Sequence, residues 1–125
     1  MAKIKVGIMP QEQMRKYTLD IATGKHVPKR GEPKIWFTSM KALSETLSDP
    51  NRELLALISE QHPDSLSELA ELSGRAVSSI SRTLKRMEGL GLVQLKQEKQ
   101  GRVVPKVPYS DIVLDMPIGR DALGA

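Results

Sequence analysis

Arg75, Ser78, Ser79, Arg82, Lys85 and Arg86 bring two kinds of chemistry into one short run. Arginine offers a planar fork of donors that matches guanine O6 and N7, and serine is small enough to let a backbone come close while it bonds bases or phosphates. Lys85 is a point charge suited to phosphate. Arg75, Ser79, Arg82 and Arg86 are spaced by four, three and four residues, so on a helix they share one face. No acid interrupts that face, and Glu88 lies past its useful end. A helix beginning near Ala76 would add the positive end of its dipole. Further on, Lys96, Lys99 and Arg102 fall around a polar turn, where they suit a minor groove or flanking phosphates. The plainer reading is an amphipathic surface helix with a basic outer side and an ordinary hairpin tip.

The neighbouring elements favour the sharper reading. Ser65-Leu66-Ser67-Glu68 is a capping box that opens a short helix, ending near Leu72 and burying Leu66, Leu69, Ala70 and Leu72. Gly74 supplies a tight turn. The next helix, Ala76 to Glu88, is closed by Gly89 or Gly91, and its Val77, Ile80, Leu84 and Met87 form one buried stripe. Val93 and Leu95 then alternate with Gln94 and Lys96 as a strand. Gln97 to Gly101 is a polar tip, and Val103 and Val104 begin the returning strand, whose pairing Pro105 limits. A short capped helix, a glycine turn, a longer helix and a strand pair is the order of a winged helix-turn-helix.

Upstream, Ser39 to Leu47 reads as a helix. Asp49 as N-cap with Pro50 at the first helical position opens another, which buries Leu54, Leu55, Leu57 and Ile58 and ends at His62-Pro63. Lys3 to Met9 alternates as a strand with Ile4, Val6 and Ile8 on one side. Gln11 to Thr23 follows as a helix with Met14, Tyr17 and Ile21 on one face, closed by Gly24. The segment TGKHVPKRGEPK, 23–34, reads as a basic linker whose bases are solvated or, as the alternative, touch DNA phosphate. Lys34 to Thr38 is a short apolar run with Trp36 and Phe37 facing the core. Asp111 to Met116 alternates again with Ile112, Leu114 and Met116 on one side. The expected fold class is α+β: a winged helix-turn-helix over 35–107, an N-terminal strand-helix extension and linker over 1–34 for dimerisation, a C-terminal strand over 108–117 and a disordered tail over 118–125.

Charge distribution agrees. From Arg75 to Lys106 there are eight Lys or Arg against two acids, a net +6 within a chain whose total is +4. From Met40 to Ser73 two bases face seven acids. Positive charge gathered on one segment is what a phosphate-facing surface looks like. The four aromatic residues, Tyr17, Trp36, Phe37 and Tyr109, are too few for a platform that stacks single-stranded bases. With no cysteine there are no disulfides or thiolate chemistry, which suits a reducing cytoplasm. The N-terminus has no signal-peptide pattern, and no apolar run is long enough to span a bilayer, so no membrane partner is expected. His26 and His62 lack metal-ligand spacing, and no nucleophile–base pair, phosphate loop or dinucleotide fingerprint is present. Neither a cofactor, a metal nor enzymatic activity is expected.

Residues from about Ile35 to Met116 resemble a family of small transcriptional regulators with a MarR-type winged helix. The resemblance rests on DPNRELLALI, on SLSELAELSGRAVSSISRTLKRMEGLGLV and on the closing VPYSDIVLDM, and the N-terminal strand and helix fit the same layout. It implies a sequence-specific regulator of double-stranded DNA, a repressor, and for some members an antitoxin role beside a small toxin protein. A homodimer is expected because one winged helix reads few base pairs. The alternative is a winged-helix module that docks proteins and binds no DNA.

Overall fold

The structure is a computed structural model that describes residues 2–119. The chain forms two compact units, one spanning Thr46–Ser110 and the other Lys3–Glu45 with the chain from Asp111 onward.

In the second of these units, β1 (Ala2–Ile8) is the central strand of a three-stranded sheet, between β2 (Ile35–Phe37) and β5 (Tyr109–Leu114). β1 and β2 run parallel with Val6 opposite Ile35 and Ile8 opposite Phe37. Parallel neighbours need a crossover, and the helix α1 (Gln11–Ala22) with the loop after it provides one. Ile4, Val6, Met9, Ile35 and Phe37 are buried. Gly7 is there for space: a Cβ on it would lie 2.5 Å from Cζ3 of Trp36. Tyr17 packs edge-on against Trp36, with ring centroids 5.6 Å apart. Burial raises the Tyr17 phenol above its ordinary pKa; the approach of Trp36 opposes this and the Glu32 carboxylate adds to it. Trp36 Nε1 is itself buried, and among the described residues it has no partner in good hydrogen-bond geometry, so the pair acts mainly through its ring contact.

Two expectations change here, and a third lies mostly outside the described residues. α1 buries no residue: Met14 and Tyr17 are half-buried, and Ile21 is exposed. The run 35–45, assigned from the sequence to the winged helix, belongs instead with the sheet, because β2 pairs with β1 and α2 (Met40–Thr46) follows it closely. The expected disordered tail falls mostly outside the described residues.

The other unit holds α3 (Asp49–Gln61), α4 (Leu66–Ser73), α5 (Val77–Leu90), β3 (Gln94–Gln97) and β4 (Val103–Lys106). Ser48, not Asp49, caps α3, its hydroxyl accepting from the Asn51 N–H at 3.4 Å. Pro50 stands in the first turn, where its missing N–H costs nothing. His62 ends the helix in the left-handed region, φ 47°, ahead of the buried Pro63. Leu54, Leu55 and Ile58 of α3, Leu69 of α4 and Ile80, Leu84 and Met87 of α5 form the core, continued by Leu92 and Val93. Leu57, Leu66 and Ala70 are only half-buried, and Leu72 at the end of α4 is 43% exposed, because an eight-residue helix has one inward stripe and Leu72 lies off it. β3 and β4 pair antiparallel from Gln94 opposite Lys106 to Gln97 opposite Val103. Pro105 sits in that ladder, on a strand with one neighbour only. This is a winged helix-turn-helix within an α+β chain, with a strand-helix extension before it and a strand after it. No helix among the described residues is long and apolar enough to cross a membrane.

Candidate nucleic-acid interface

The turn that aims α5 is built from local hydrogen bonds. Ser65 Oγ accepts from the Glu68 N–H at 3.0 Å, which starts α4. The Glu68 carboxylate reaches back one residue further than a capping box requires and takes the Asp64 N–H at 3.0 Å. Gly74 ends α4 at φ 73°, with its N–H on the Ala70 carbonyl at 2.9 Å. The next N–H, on Arg75, is taken by Ser73 Oγ at 3.2 Å. α5 then begins from Ala76, which supplies no side-chain cap.

Ile80, Leu84 and Met87 have no exposure at all, so α5 is fixed by one side against α3 and α4. Its other side carries Ser78, Arg82, Lys85 and Arg86, all exposed. None of the three cations has an acidic partner among the described residues. Four of the six residues singled out in the sequence are therefore brought together on one free, basic face.

The other two sit differently. Arg75 is half-buried, and its guanidinium donates to Asn51 Oδ1 at 3.1 Å, Ser79 Oγ at 3.2 Å and Thr83 Oγ1 at 3.2 Å. It ties the first turn of α3 to the flank of α5, and Ser79 is one of its acceptors. In the described structure these two residues hold α5 in place. Sequence reasoning counted them with the outward face because their spacing is right. The deciding partner, Asn51, is 24 residues away, and no local pattern reveals it.

Val77 is the opposite case. Expected at the head of the buried stripe, it is 43% exposed beside Ser78, because α5 begins before its packing partners do. Its methyls are available to an apolar contact such as a thymine methyl. The strands of the wing are joined through residues 98–102, with a turn at Lys99–Gly101 in which Gln100 and Gly101 adopt φ 65° and 72°. The turn holds Lys99 and Arg102 in solvent. Lys96 is exposed too, in a loose pair with Glu98 at 3.8 Å. An exposed pair at that distance contributes little and leaves Lys96 open to another anion. Among the described residues, no three His, Cys, Asp or Glu side chains gather as metal ligands would.

A buried three-helix core, a glycine turn and a basic outward helix beside a hairpin define a winged-helix protein. The chain belongs to the HVO_A0114 family, whose model matches residues 46–114. That span takes in the helix-turn-helix, the wing and β5. No curated protein matches the chain. Among solved structures, a chain described as a predicted DNA-binding transcriptional regulator from E. coli is similar at 22% identity and a TM-score of 0.46. The match covers 80% of this chain and 85% of that one.

Proposed function

We propose that this chain is a sequence-specific regulator that binds duplex DNA through α5 and the wing, acts as a repressor in the cytoplasm and carries no enzymatic activity. One observation supports it above the others: Ser78, Arg82, Lys85 and Arg86 lie exposed on a helix whose opposite side is wholly buried. A face so anchored is preorganised. It presents arginine forks for guanine and a lysine for phosphate, with the hairpin cations Lys96, Lys99 and Arg102 for the flanking backbone.

The reading includes a homodimer, since specific sites for such modules are usually two half-sites about 34–36 Å apart. Exposed apolar residues on α1 and β5, Leu19, Ile112 and Leu114, with Met116 just beyond, supply a surface for it. The MarR type and the antitoxin role beside a small toxin rest on the sequence resemblance alone.

The test is fluorescence anisotropy with labelled duplexes over a salt series. Binding is expected to weaken with a slope of about 0.9 log units per log unit of salt for each phosphate neutralised. A flat slope, or no binding at about 50 mM salt, overturns the DNA reading and leaves protein docking as the use of this face.

A further inference from the structure

The basic segment 23–34 reads from its sequence as a solvated linker, and its structure is that of a built loop. Glu32 is the only acid in it. Its carboxylate is turned inward, one oxygen 2.8 Å from His26 Nε2 and the other accepting the Lys29 N–H at 2.7 Å. The Glu32 side chain is left only 13% exposed. The His26 ring rests on Tyr17 with centroids 5.2 Å apart, and the His26 N–H bonds the Asp20 carbonyl at 3.0 Å. Thr23 Oγ1 donates to the Leu19 carbonyl at 2.9 Å. At the far end, Lys5 Nζ holds the Gly31 carbonyl at 3.1 Å, and the Lys34 N–H bonds the Lys5 carbonyl at 3.1 Å. Gly31 itself takes φ 99°, which favours glycine.

These ties have an electrostatic consequence. The one negative group is used up inside the loop, while Lys25, Lys29, Arg30 and Lys34 stay exposed with no acidic partner among the described residues. Four cations on a braced backbone lose less freedom on meeting an anion than four on a slack chain. A long connection without regular structure is usually either functional or a slack linker, and the ties above are not those of a slack linker. We propose that the 23–34 loop is itself a contact element for the phosphate backbone of duplex DNA. This rests on the DNA-binding reading above. A polyphosphate backbone fits the surface because spaced cations suffice to bind it and no sequence need be read. Single-stranded nucleic acid fits less well: the rings beneath the loop, Tyr17 and Trp36, are half-buried and packed against each other, leaving no open face for a base.

The experiment uses the full chain, wild type and a Lys25→Gln, Lys29→Gln, Arg30→Gln variant, which keeps the His26–Glu32 tie. Circular dichroism checks that the variant folds. Both are titrated by anisotropy against a duplex of about 30 base pairs, in preferred and scrambled sequence, over a salt series. The salt slope of the variant should fall by about 0.9 for each phosphate that the loop no longer neutralises, equally on both duplexes. That corresponds to roughly eightfold weaker binding per phosphate at 0.1 M salt, referred to 1 M. A variant with the wild-type slope and affinity, while the wild type binds DNA, overturns the loop assignment and leaves α5 standing. A wild type that binds no duplex at low salt overturns both. Parallel titrations use single-stranded RNA and vesicles of phosphatidylserine and phosphatidylcholine. Weakening confined to either of those, with duplex binding unchanged, would assign the loop to that partner and overturn the proposal.

Discussion

Arg82 and Lys99 carry the same charge, and the proposed function gives them different tasks. Arg82 stands mid-face on a helix whose other side is buried, and Lys99 stands at a hairpin tip. Arg82→Ala is expected to cost about 1–3 kcal/mol on the preferred site and to relax the preference, while Lys99→Ala weakens all sequences alike. Identical behaviour of the two variants on preferred and random duplexes would sink the assignment of the face. Arg75 makes a third case. Its three hydrogen bonds come from a charged donor in a half-buried place, where each contributes more than an exposed pair. Arg75→Ala should lower stability by roughly 1–3 kcal/mol in chemical denaturation, and Arg82→Ala should leave it within about 0.5 kcal/mol. A double-mutant cycle between Arg75 and Asn51 should give a coupling of about 0.5–3 kcal/mol, and additivity would mean that the tie does not hold the helices.

At the scale of the element, the same core that was legible in the sequence makes α5 rigid. The i, i+4, i+7 spacing marks Ile80, Leu84 and Met87, and all three are fully buried. Leu84→Ala should therefore cost about 2–5 kcal/mol, whereas Val77→Ala should stay within about 0.5 kcal/mol of wild type in stability and show itself only in DNA affinity. Equal losses from both would put Val77 back in the core. Local rules also located the capping serine of α4, the glycine turn and the wing, because each is settled within a few residues of chain. What escaped them was decided at longer range or by one residue of slippage. Ser48 and Asp49 are both good caps, and only the backbone geometry chooses Ser48. Gly7 is ordinary in the strand pattern, and only the parallel neighbour brings Trp36 over it. The 23–34 segment reads as slack because the braces that tie it to the rest of its unit, Asp20, Lys5 and Tyr17, lie outside it. Of the candidate site, the face of α5 was legible from periodicity, and the internal use of Arg75 and Ser79 was not, since it depends on a partner in another helix.

For the whole molecule, the proposed function requires that two copies of α5 be held on one site. α1 buries nothing, and its exposed side aligns Gln11, Met14, Arg15, Thr18, Leu19 and Ala22 in one stripe, with Leu19 62% exposed. β5 is an edge strand with Ile112, Val113 and Leu114 exposed in succession and Met116 beyond them. Contiguous apolar surface on both a helix and a strand edge is more than a monomer ordinarily leaves in water. Removing the N-terminal extension is a poor way to ask whether this surface joins two copies. It would take out β1, the central strand of the sheet, and unfold what it was meant to probe. Charge on the exposed stripe asks the question cleanly. Met14→Glu with Leu19→Glu changes one half-buried and one exposed residue on a helix with no buried position, so folding should survive. Sedimentation at micromolar concentration should show a dimer for the wild type and a monomer for the variant. The variant should also keep its affinity for a single half-site and lose it for the paired one, because a second contact held by the first acts at a high effective concentration. A wild type that sediments as a monomer refutes the dimer, and a charged variant that still dimerises moves the interface off α1.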